Sequence, residues 1–234
     1  MKNLLLASTS TVYGRPYLSY LFDELSVHFK GVKEIIFIPF ARPSGKTHDE
    51  YTAVAAKAFA EIGIGVRGIH TFDKPIEAIQ KAEGFFTGGG NSFVLLNDLY
   101  KNGLLAPLKQ EVLNGKPYFG TSAGSNIAGH NIMNTNDMPI VYPPTFDAMG
   151  LIPFNINPHY LDPIPGLKHM GETRQTRIEE YLVYNTIPVI GLREGNWLEV
   201  KNDSIILKGE PQARWFEPGK DPVEYSSGKE LGLV

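Results

Sequence analysis

The feature that most constrains the fold is the alternation of short apolar runs with helix-like runs over residues 1 to 131. The runs "KNLLLAS", "VKEIIFIPFA" and "KPYFGTS" are almost continuously apolar, whereas "THDEYTAVAAKAFAEIG" carries its apolar residues at helical spacing. Apolar strands of this kind become buried in a parallel sheet because the connecting helices cover both of its faces. The sequence therefore predicts an α/β fold with a mostly parallel sheet and helices on both faces.

The second half of the chain departs from this alternation. Residues 132 to 168 contain seven prolines and little periodicity, which predicts an irregular segment that is either functional or disordered. A helix follows in "GETRQTRIEEYLVYN", and the remaining runs, from "IPVIGLREGNW" to "ARWFEPGKDPVEY", predict a C-terminal antiparallel ribbon at a sheet edge. Because there is no repeat and no linker, residues 1–234 are expected to form a single domain.

Composition narrows the function classes. The net charge is −3 without any block of like charges, so neither nucleic acid nor a membrane surface is an expected partner. The chain has no cysteine, which removes disulfides, thiolate metal sites and cysteine nucleophiles. Its N-terminal apolar run is too short for a secretory signal, and we expect a soluble, cytoplasmic protein. Edge strands near the C-terminus would allow a homodimer, and the sequence fits a monomer equally well.

A G-x-S-x-G motif, Gly120 to Gly124, stands directly after a predicted strand and before a helix-like run. This arrangement pushes a serine hydroxyl, here that of Ser122, out of a sharp strand-to-helix turn, as in many serine hydrolases. A glycine-rich turn with a serine helix cap would have the same residues. From the motif alone, a catalytic and a structural serine are about equally well supported.

A second glycine-rich turn, "TGGG" at residues 87 to 90, follows the preceding strand. Ligands of open α/β sheets bind beyond the carboxyl ends of the strands, so both turns are expected at the same edge. The backbone N–H of Ala123 and those of glycines such as Gly89 or Gly90 could then form an oxyanion hole. A phosphate cradle is disfavoured because the Walker lysine and a complete G-x-G-x-x-G are missing.

A nucleophilic serine needs a base, and the base needs an orienting group. His159, in "NINPHYLDP", is better placed as the base than His169, whereas His28 is expected to be solvated on a helix face. Two carboxylates are candidates for the orienting group: Asp137 in "NTNDMPI" and Glu194 in "GLREGNW". The residues leave this choice open, although the order Ser, His, Glu would differ from that of α/β-hydrolases.

Two further clusters allow alternative interpretations. Arg174 and Arg177 share a helix face, where either could bind a substrate carboxylate, although pairing with nearby glutamates is the simpler expectation. His159, Asp162, His169 and Glu172 are suitable metal ligands by type. Their spacing matches no motif with a known mechanism, so a metal site is disfavoured.

The order of these motifs resembles the peptidase E family of α-aspartyl dipeptidases over essentially the whole chain. The strings that carry the resemblance are "FIPFA", "TGGGN", "GTSAGSNI", "TNDMPI", "NPHYLD", "KHMGETRQTR" and "VIGLREGNW". The resemblance implies a fold similar to the class I glutamine amidotransferases and a serine peptidase that hydrolyses Asp-X dipeptides. It implies no metal and no organic cofactor.

The resemblance also implies roles for individual residues. Ser122 would be the nucleophile and His159 the base, with Glu194 or Asp137 as the third member of the triad. Arg174 would bind the aspartyl side chain of the substrate, which reverses the simpler expectation for that residue. Gly89 and its neighbours match the oxyanion turn of the family.

Two other functions remain open at this point. The first is a related serine hydrolase that cuts β-linked aspartyl peptides, as cyanophycinase-like enzymes do. The second is a non-catalytic protein that binds small molecules in the same pocket. The segment "HYLDPIPGLKHMGE" varies in length and composition between relatives, so we expect substrate affinity and breadth to vary with it.

Overall fold

Two β-sheets organise the computed structural model of the chain, which describes residues 1–163, 166, 168 and 171–231. The described strands are β1 (Asn3–Ala7), β2 (Glu34–Ile38), β3 (Gly65–Gly68), β4 (Phe85–Thr87), β5 (Tyr118–Thr121), β6 (Asn155–Pro158), β7 (Val189–Leu192), β8 (Trp197–Lys201), β9 (Ser204–Lys208), β10 (Ala213–Phe216) and β11 (Val223–Tyr225). The described α-helices are α1 (Phe22–His28), α2 (His48–Ala60), α3 (Pro75–Lys81), α4 (Ser92–Lys101), α5 (Leu105–Leu113), α6 (Ala123–Asn126) and α7 (Arg174–Tyr184).

The larger sheet has seven strands in the order β3-β2-β4-β5-β1-β8-β9. Its first five strands are parallel, and β8 and β9 continue it as antiparallel strands next to β1. The predicted α/β fold with a mostly parallel sheet is therefore confirmed. Because β4 and β5 are neighbours, the two glycine-rich turns that follow them lie side by side, as the sequence indicates.

Alternating residues of the parallel strands enter two separate apolar cores, one on each face of the sheet. Leu4 and Leu6 belong to one core, whereas Leu5 belongs to the other together with Phe86 and Phe119. The last two rings stack with their centroids 4.7 Å apart. Full burial of each such side chain stabilises the fold by about 1.5–3 kcal/mol, which explains why nearly continuous apolar runs form these strands.

Helix α2 shows how the sequence sets an element boundary. The side chain of Thr47 accepts a hydrogen bond from the backbone N–H of Glu50, and the Glu50 carboxylate accepts one from the backbone N–H of Thr47. This capping box satisfies two N–H groups that the first turn would otherwise leave free, and it confirms the predicted helix start. None of the helices in the described ranges is long and apolar enough to cross a membrane.

The smaller sheet, with strand order β11-β10-β7-β6, was not expected from the sequence. Strand β6 lies inside the segment predicted to be irregular and runs parallel to β7. The predicted C-terminal ribbon is divided: β8 and β9 extend the larger sheet, whereas β10 and β11 form a hairpin in the smaller one. The antiparallel character of the ribbon is therefore confirmed, but its position along a single edge is wrong.

The sequence of strand β6, "NINP", gives little sign of a strand because it is polar at alternate positions. Asn155 and Asn157 are nevertheless fully buried, and their side chains hydrogen-bond the preceding irregular segment. The side-chain oxygen Oδ1 of Asn155 accepts from the backbone N–H of His130 at 2.9 Å, and the side-chain amide of Asn157 donates to the backbone carbonyl of Asn134 at 2.8 Å. Two buried amides thus replace the apolar contacts that usually mark a strand.

Candidate active site

Ser122 lies in the tight turn between β5 and α6. Its backbone has φ 53° and ψ −113°, a conformation that is costly for any residue with a side chain. Both flanking glycines are required by close packing. A Cβ at Gly120 would lie 2.6 Å from the Gly124 carbonyl oxygen, and one at Gly124 would lie 2.2 Å from the Thr87 carbonyl oxygen. The turn therefore holds the hydroxyl of Ser122 above the ends of the strands, as the motif predicts.

Buried polar contacts fix this turn against its neighbours. The hydroxyl of Ser125 lies 2.7 Å from the Ala7 carbonyl and 2.8 Å from the Gly120 carbonyl, both of which can accept its proton. The side-chain amide of Asn126 donates to the Ile156 carbonyl at 2.8 Å, which links the turn to β6 of the smaller sheet. These roles could not be predicted, because a serine and an asparagine in a short helix are common.

His159 follows β6 directly and also has a positive φ, 53°. Its backbone N–H donates to the hydroxyl of Ser8 at 2.9 Å, and that hydroxyl donates to the Leu192 carbonyl at 2.7 Å. Ser8, which is fully buried at the end of β1, thereby ties the two sheets together beside the histidine. Sequence analysis did not identify Ser8, since the contact spans more than 150 positions.

The imidazole of His159 bridges the predicted nucleophile and one of the two predicted carboxylates. Its Nε2 lies 3.0 Å from the hydroxyl oxygen of Ser122, and its Nδ1 lies 2.8 Å from Oε1 of Glu194. Both distances are within hydrogen-bond range, so the three side chains form one chain of hydrogen bonds. A carboxylate that accepts the Nδ1 proton leaves Nε2 free to accept a proton from the serine.

Glu194 sits in a tight turn between β7 and β8 that is fixed by Asn196. The buried side chain of Asn196 accepts from the backbone N–H of Arg193 at 3.1 Å and donates to the Pro211 carbonyl at 2.6 Å. The carboxylate of Glu194 itself is 45% exposed. The turn, rather than burial of the carboxylate, therefore places this group next to the imidazole.

The guanidinium of Arg193 connects the segments that carry the histidine and the glutamate. It makes paired hydrogen bonds to Asp162 at 2.7 and 2.8 Å and to Glu224 at 2.8 and 2.9 Å. The hydrogen bond from Arg193 is the main cause that lowers the pKa of Asp162. Bidentate pairs of this kind are geometrically specific. Arg193 thus holds the residues after His159 against the turn that carries Glu194.

Asp137, the alternative carboxylate, makes different contacts. Its Oδ2 accepts from the backbone N–H of Ser92 at 2.7 Å and from the hydroxyl of Thr135 at 3.1 Å. The carboxylate therefore lies at the N-terminus of α4, where the helix dipole favours a negative charge. Of the two candidates, the structure brings Glu194 to the histidine and places Asp137 at the start of the helix that follows the glycine turn.

The glycine turn lies against Ser122. A Cβ at Gly89 would be 2.9 Å from the Cβ of Ser122, and Gly90, with φ +147°, would place a Cβ 2.1 Å from the Ala41 carbonyl oxygen. Within the part of the chain that the structure describes, the backbone N–H groups of Gly89, Gly90 and Ala123 have no hydrogen-bond acceptor. Free donors at this position can face a negative charge on a bound ligand.

Tyr51, from α2, supports the glycine turn from below. Its hydroxyl donates to the Gly89 carbonyl at 3.2 Å, and its ring fills the space that a side chain at Gly88 would need. The guanidinium of Arg42 lies 5.1 Å from the centre of the same ring. Because a carbonyl and the next N–H belong to one rigid peptide plane, the hydrogen bond to Gly89 also sets the direction of the Gly90 N–H.

Arg174 is the first residue of α7, after the helix cap Thr173. Its side chain is partly buried, and among the described residues it makes no ion pair within 4.0 Å, whereas Arg177 lies 3.8 Å from Glu172. Burial is the main cause that lowers the pKa of the Arg174 guanidinium, followed by the charge of Arg177, while the carboxylate of Asp137 opposes the shift. Arg174 therefore carries a partly desolvated positive charge.

The remaining histidines lie elsewhere or have other partners. His169, the alternative base, lies outside the described residues. The expectation that His28 is solvated is wrong: its Nε2 donates to the Tyr118 carbonyl at 3.1 Å, and burial lowers its pKa to about 4. Among the described residues, no group of three or more histidine and carboxylate side chains is arranged to hold a metal ion.

Several proteins with curated names are similar to the chain along nearly its whole length. Peptidase E from Streptomyces coelicolor is 48% identical over 229 residues, which cover 98% of this chain and 93% of that protein. A protein from Drosophila melanogaster named probable alpha-aspartyl dipeptidase is 46% identical over 92% of this chain and 90% of its own length. These similarities confirm the resemblance identified from the motifs.

Solved structures and a family model agree with this assignment. The crystal structure of a putative peptidase E protein from Listeria monocytogenes has a TM-score of 0.67 at 24% identity, covering 89% of this chain and 98% of that one. A peptidase from an acI-B1 Actinobacterium has a TM-score of 0.70 at 16% identity over 100% and 97% of the two chains. Both show the same fold. Since the model of peptidase family S51 matches residues 4–208, the chain belongs to peptidase family S51.

Proposed function

We propose that the chain is a serine dipeptidase that hydrolyses Asp-X dipeptides, with Ser122 as nucleophile, His159 as general base and Glu194 as the orienting carboxylate. The observation that carries the proposal is the continuous hydrogen-bond chain of 3.0 Å and 2.8 Å through the imidazole. Nucleophile, base and orienting group in this order are the requirements for activating a serine. The names of the curated relatives support the substrate class.

The reaction would proceed in two transfers of the aspartyl group. Nε2 of His159 takes the proton of Ser122, whose oxygen attacks the peptide carbonyl and forms a tetrahedral intermediate. The C–N bond then breaks as the imidazolium gives its proton to the leaving amine, and an aspartyl ester of Ser122 remains. Water, deprotonated by the same imidazole, attacks this ester and releases aspartate.

The negative oxygen of each tetrahedral intermediate would be held by the backbone N–H groups of Gly89, Gly90 and Ala123. Their lack of an acceptor among the described residues supports this role, because donors that are already oriented need no rearrangement during the reaction. The close packing of Gly89 against Ser122 also supports this role, since a Cβ at Gly89 would lie 2.9 Å from the Cβ of Ser122.

Arg174 would bind the aspartyl side chain of the substrate. A partly buried guanidinium without an ion pair among the described residues has lost hydration without gaining a partner, so a carboxylate that binds there is held by a strong, charge-assisted pair. A substrate with an uncharged side chain would leave this charge unpaired. The arrangement therefore favours Asp-X over Leu-X dipeptides.

The test is hydrolysis of aspartyl p-nitroanilide, compared with the glutamyl, leucyl, N-acetyl-aspartyl and β-aspartyl compounds, and with Ser122→Ala as the control. We expect hydrolysis of the free α-aspartyl amide alone and none by the variant. Faster hydrolysis of the β-aspartyl compound would favour the alternative hydrolase, and activity retained in Ser122→Ala would contradict the mechanism. If the intact protein hydrolyses none of these compounds, the non-catalytic binding function gains support.

A further inference from the structure

A dipeptide with N-terminal aspartate brings two charges close to the reacting carbonyl. The side-chain carboxylate is one of them, and Arg174 accounts for it in the proposed function, on which this inference rests. The other is the α-ammonium group, one bond away from the carbon that carries the scissile carbonyl. An ammonium ion that leaves water needs hydrogen-bond acceptors and a compensating charge. None of the residues assigned so far supplies that negative charge on the acyl side of Ser122.

Asp137 lies on a loop that is hydrogen-bonded both to the start of α4 and to the segment that carries His159. Its carboxylate is hydrogen-bonded to the backbone N–H of Ser92, three residues after Gly89, and Gly89 packs so closely that a Cβ there would lie 2.9 Å from the Cβ of Ser122. On the other side, the same loop is fixed to the segment that carries the histidine: the side-chain amide of Asn136 donates to the Pro158 carbonyl at 3.0 Å. The loop thus spans the gap between the oxyanion turn and His159.

The carboxylate of Asp137 has an unused acceptor. Both of its hydrogen bonds within the described chain end on Oδ2, so Oδ1 has no donor among the described residues. The side chain is partly exposed and its loop is held at the next residue, where the amide of Asn91 donates to the Met138 carbonyl at 2.8 Å. A fixed carboxylate oxygen that still lacks a donor is well suited to accept one from a ligand.

We propose that Asp137 binds the α-ammonium group of the substrate and thereby restricts the enzyme to unblocked N-terminal aspartate. Asp137 and Arg174 then form a pair of opposite charges that matches, with reversed signs, the ammonium and the carboxylate of one aspartyl residue. The negative charge of Asp137 also opposes the lowering of the Arg174 pKa, which burial and Arg177 cause. An acylated amino group would leave the carboxylate without its cation and would add bulk between the loop and the glycine turn.

The substitution Asp137→Asn separates this role from a structural one. Its amide oxygen can still accept from the N–H of Ser92, so the start of α4 keeps its hydrogen bond while the charge is lost. Asp147→Asn is the matched control, because it removes the same charge from an exposed position on the same irregular segment. Circular dichroism and thermal unfolding of both variants establish that they are folded.

The experiment compares L-aspartate with succinate, which is aspartate without its amino group, as competitive inhibitors of aspartyl p-nitroanilide hydrolysis. In the unmodified protein and in Asp147→Asn, aspartate is expected to inhibit at lower concentration than succinate. In Asp137→Asn, the inhibition constant of aspartate and the KM of the substrate are expected to rise roughly 10- to 100-fold. The inhibition constant of succinate is expected to stay within about 3-fold of its value in the unmodified protein. Titration calorimetry with both ligands replaces the kinetic readout if the variant is inactive.

Three results would overturn the inference while leaving the proposed function intact. The first is an equal loss of affinity for aspartate and succinate, which indicates a structural effect. The second is unchanged affinity for aspartate. The third is a fall in kcat with unchanged KM, which would instead place Asp137 in the action of His159. By contrast, a protein that hydrolyses no Asp-X compound contradicts the proposed function itself.

Discussion

The proposed role of Glu194 can be tested by Glu194→Gln. The substitution is nearly isosteric and keeps an oxygen that can accept a hydrogen bond from Nδ1 of His159. In the unmodified protein, Nδ1 lies 2.8 Å from Oε1 of Glu194. It removes the negative charge and adds two N–H donors. Any loss of activity in a folded Glu194→Gln protein therefore measures the electrostatic contribution and the choice of tautomer rather than the loss of a side chain.

The expected size of the effect follows from exposure. When the imidazole takes the serine proton, its positive charge lies about 4 Å from the negative charge of the carboxylate. The attraction between two such charges is worth about 1 kcal/mol in water and about 4 kcal/mol at an effective dielectric constant of 20. The side chains of His159 and Glu194 are 37% and 45% exposed, so water screens the pair substantially. We therefore expect a loss of about 1.4–2.7 kcal/mol, which corresponds to a roughly 10- to 100-fold fall in kcat.

The assay is the initial rate of aspartyl p-nitroanilide hydrolysis over a range of substrate concentrations. KM is expected to change little, because Glu194 is not proposed to contact the substrate. Glu210→Gln is the control, since Glu210 is an exposed carboxylate that lines the same surface cavity as Glu194. A Glu194→Gln variant with the full kcat would refute the reasoning. So would the same fall in kcat in Glu210→Gln.

Three further predictions concern residues outside the proposed triad. Tyr51→Phe removes the hydrogen bond to the Gly89 carbonyl, which sets the direction of the Gly90 N–H. With the same substrate, kcat is expected to fall about 10-fold at constant KM. A change in KM alone would contradict this prediction. Ser8→Ala leaves the N–H of His159 and the carbonyl of Leu192 without their hydrogen-bond partner. The free energy of unfolding in urea is therefore expected to fall by about 1–3 kcal/mol, and kcat is expected to fall as well. An unchanged free energy of unfolding would contradict this prediction. Burial lowers the pKa of His28 to about 4 in the folded state, so between pH 6.5 and 4 the folded protein keeps this side chain neutral while the unfolded chain binds a proton. The free energy of unfolding therefore falls as the pH drops from about 6.5 to 4. In thermal unfolding, His28→Gln is expected to flatten this pH dependence.

The parallel sheet could be predicted because its signal is local. Residues such as Leu4 and Ile36 lie in apolar runs whose burial on both faces leaves few alternatives, and the glycines around Ser122 are demanded by backbone contacts within the motif itself. Glu194 could be named as one of two candidate carboxylates because it follows an apolar strand, and in the structure it is the one that lies beside His159. These inferences needed only the order of the elements.

The second sheet and the supports of the site could not be predicted, since their signals are long-range. Strand β6 is stabilised by buried asparagine side chains whose partners lie in an irregular segment. The hydrogen bond from Ser8 to Leu192 joins residues 184 positions apart. A buried polar residue is costly without its partner and unremarkable in a sequence, so its role appears only once the partner is known. The single domain, the cytoplasmic location and the homodimer stay predictions.

The division of the site between two sheets explains why so many buried polar groups surround it. Ser122 is carried by the larger sheet, whereas His159 and Glu194 follow strands of the smaller one, so a sliding motion between the sheets would change the 3.0 Å distance on which the proposed proton transfer depends. Apolar contacts alone resist such sliding weakly because they have no direction. The hydrogen bonds of Ser8 and Asn126 across the junction are directional, and breaking either would leave buried groups unpaired. The polar junction therefore holds the reacting atoms in register.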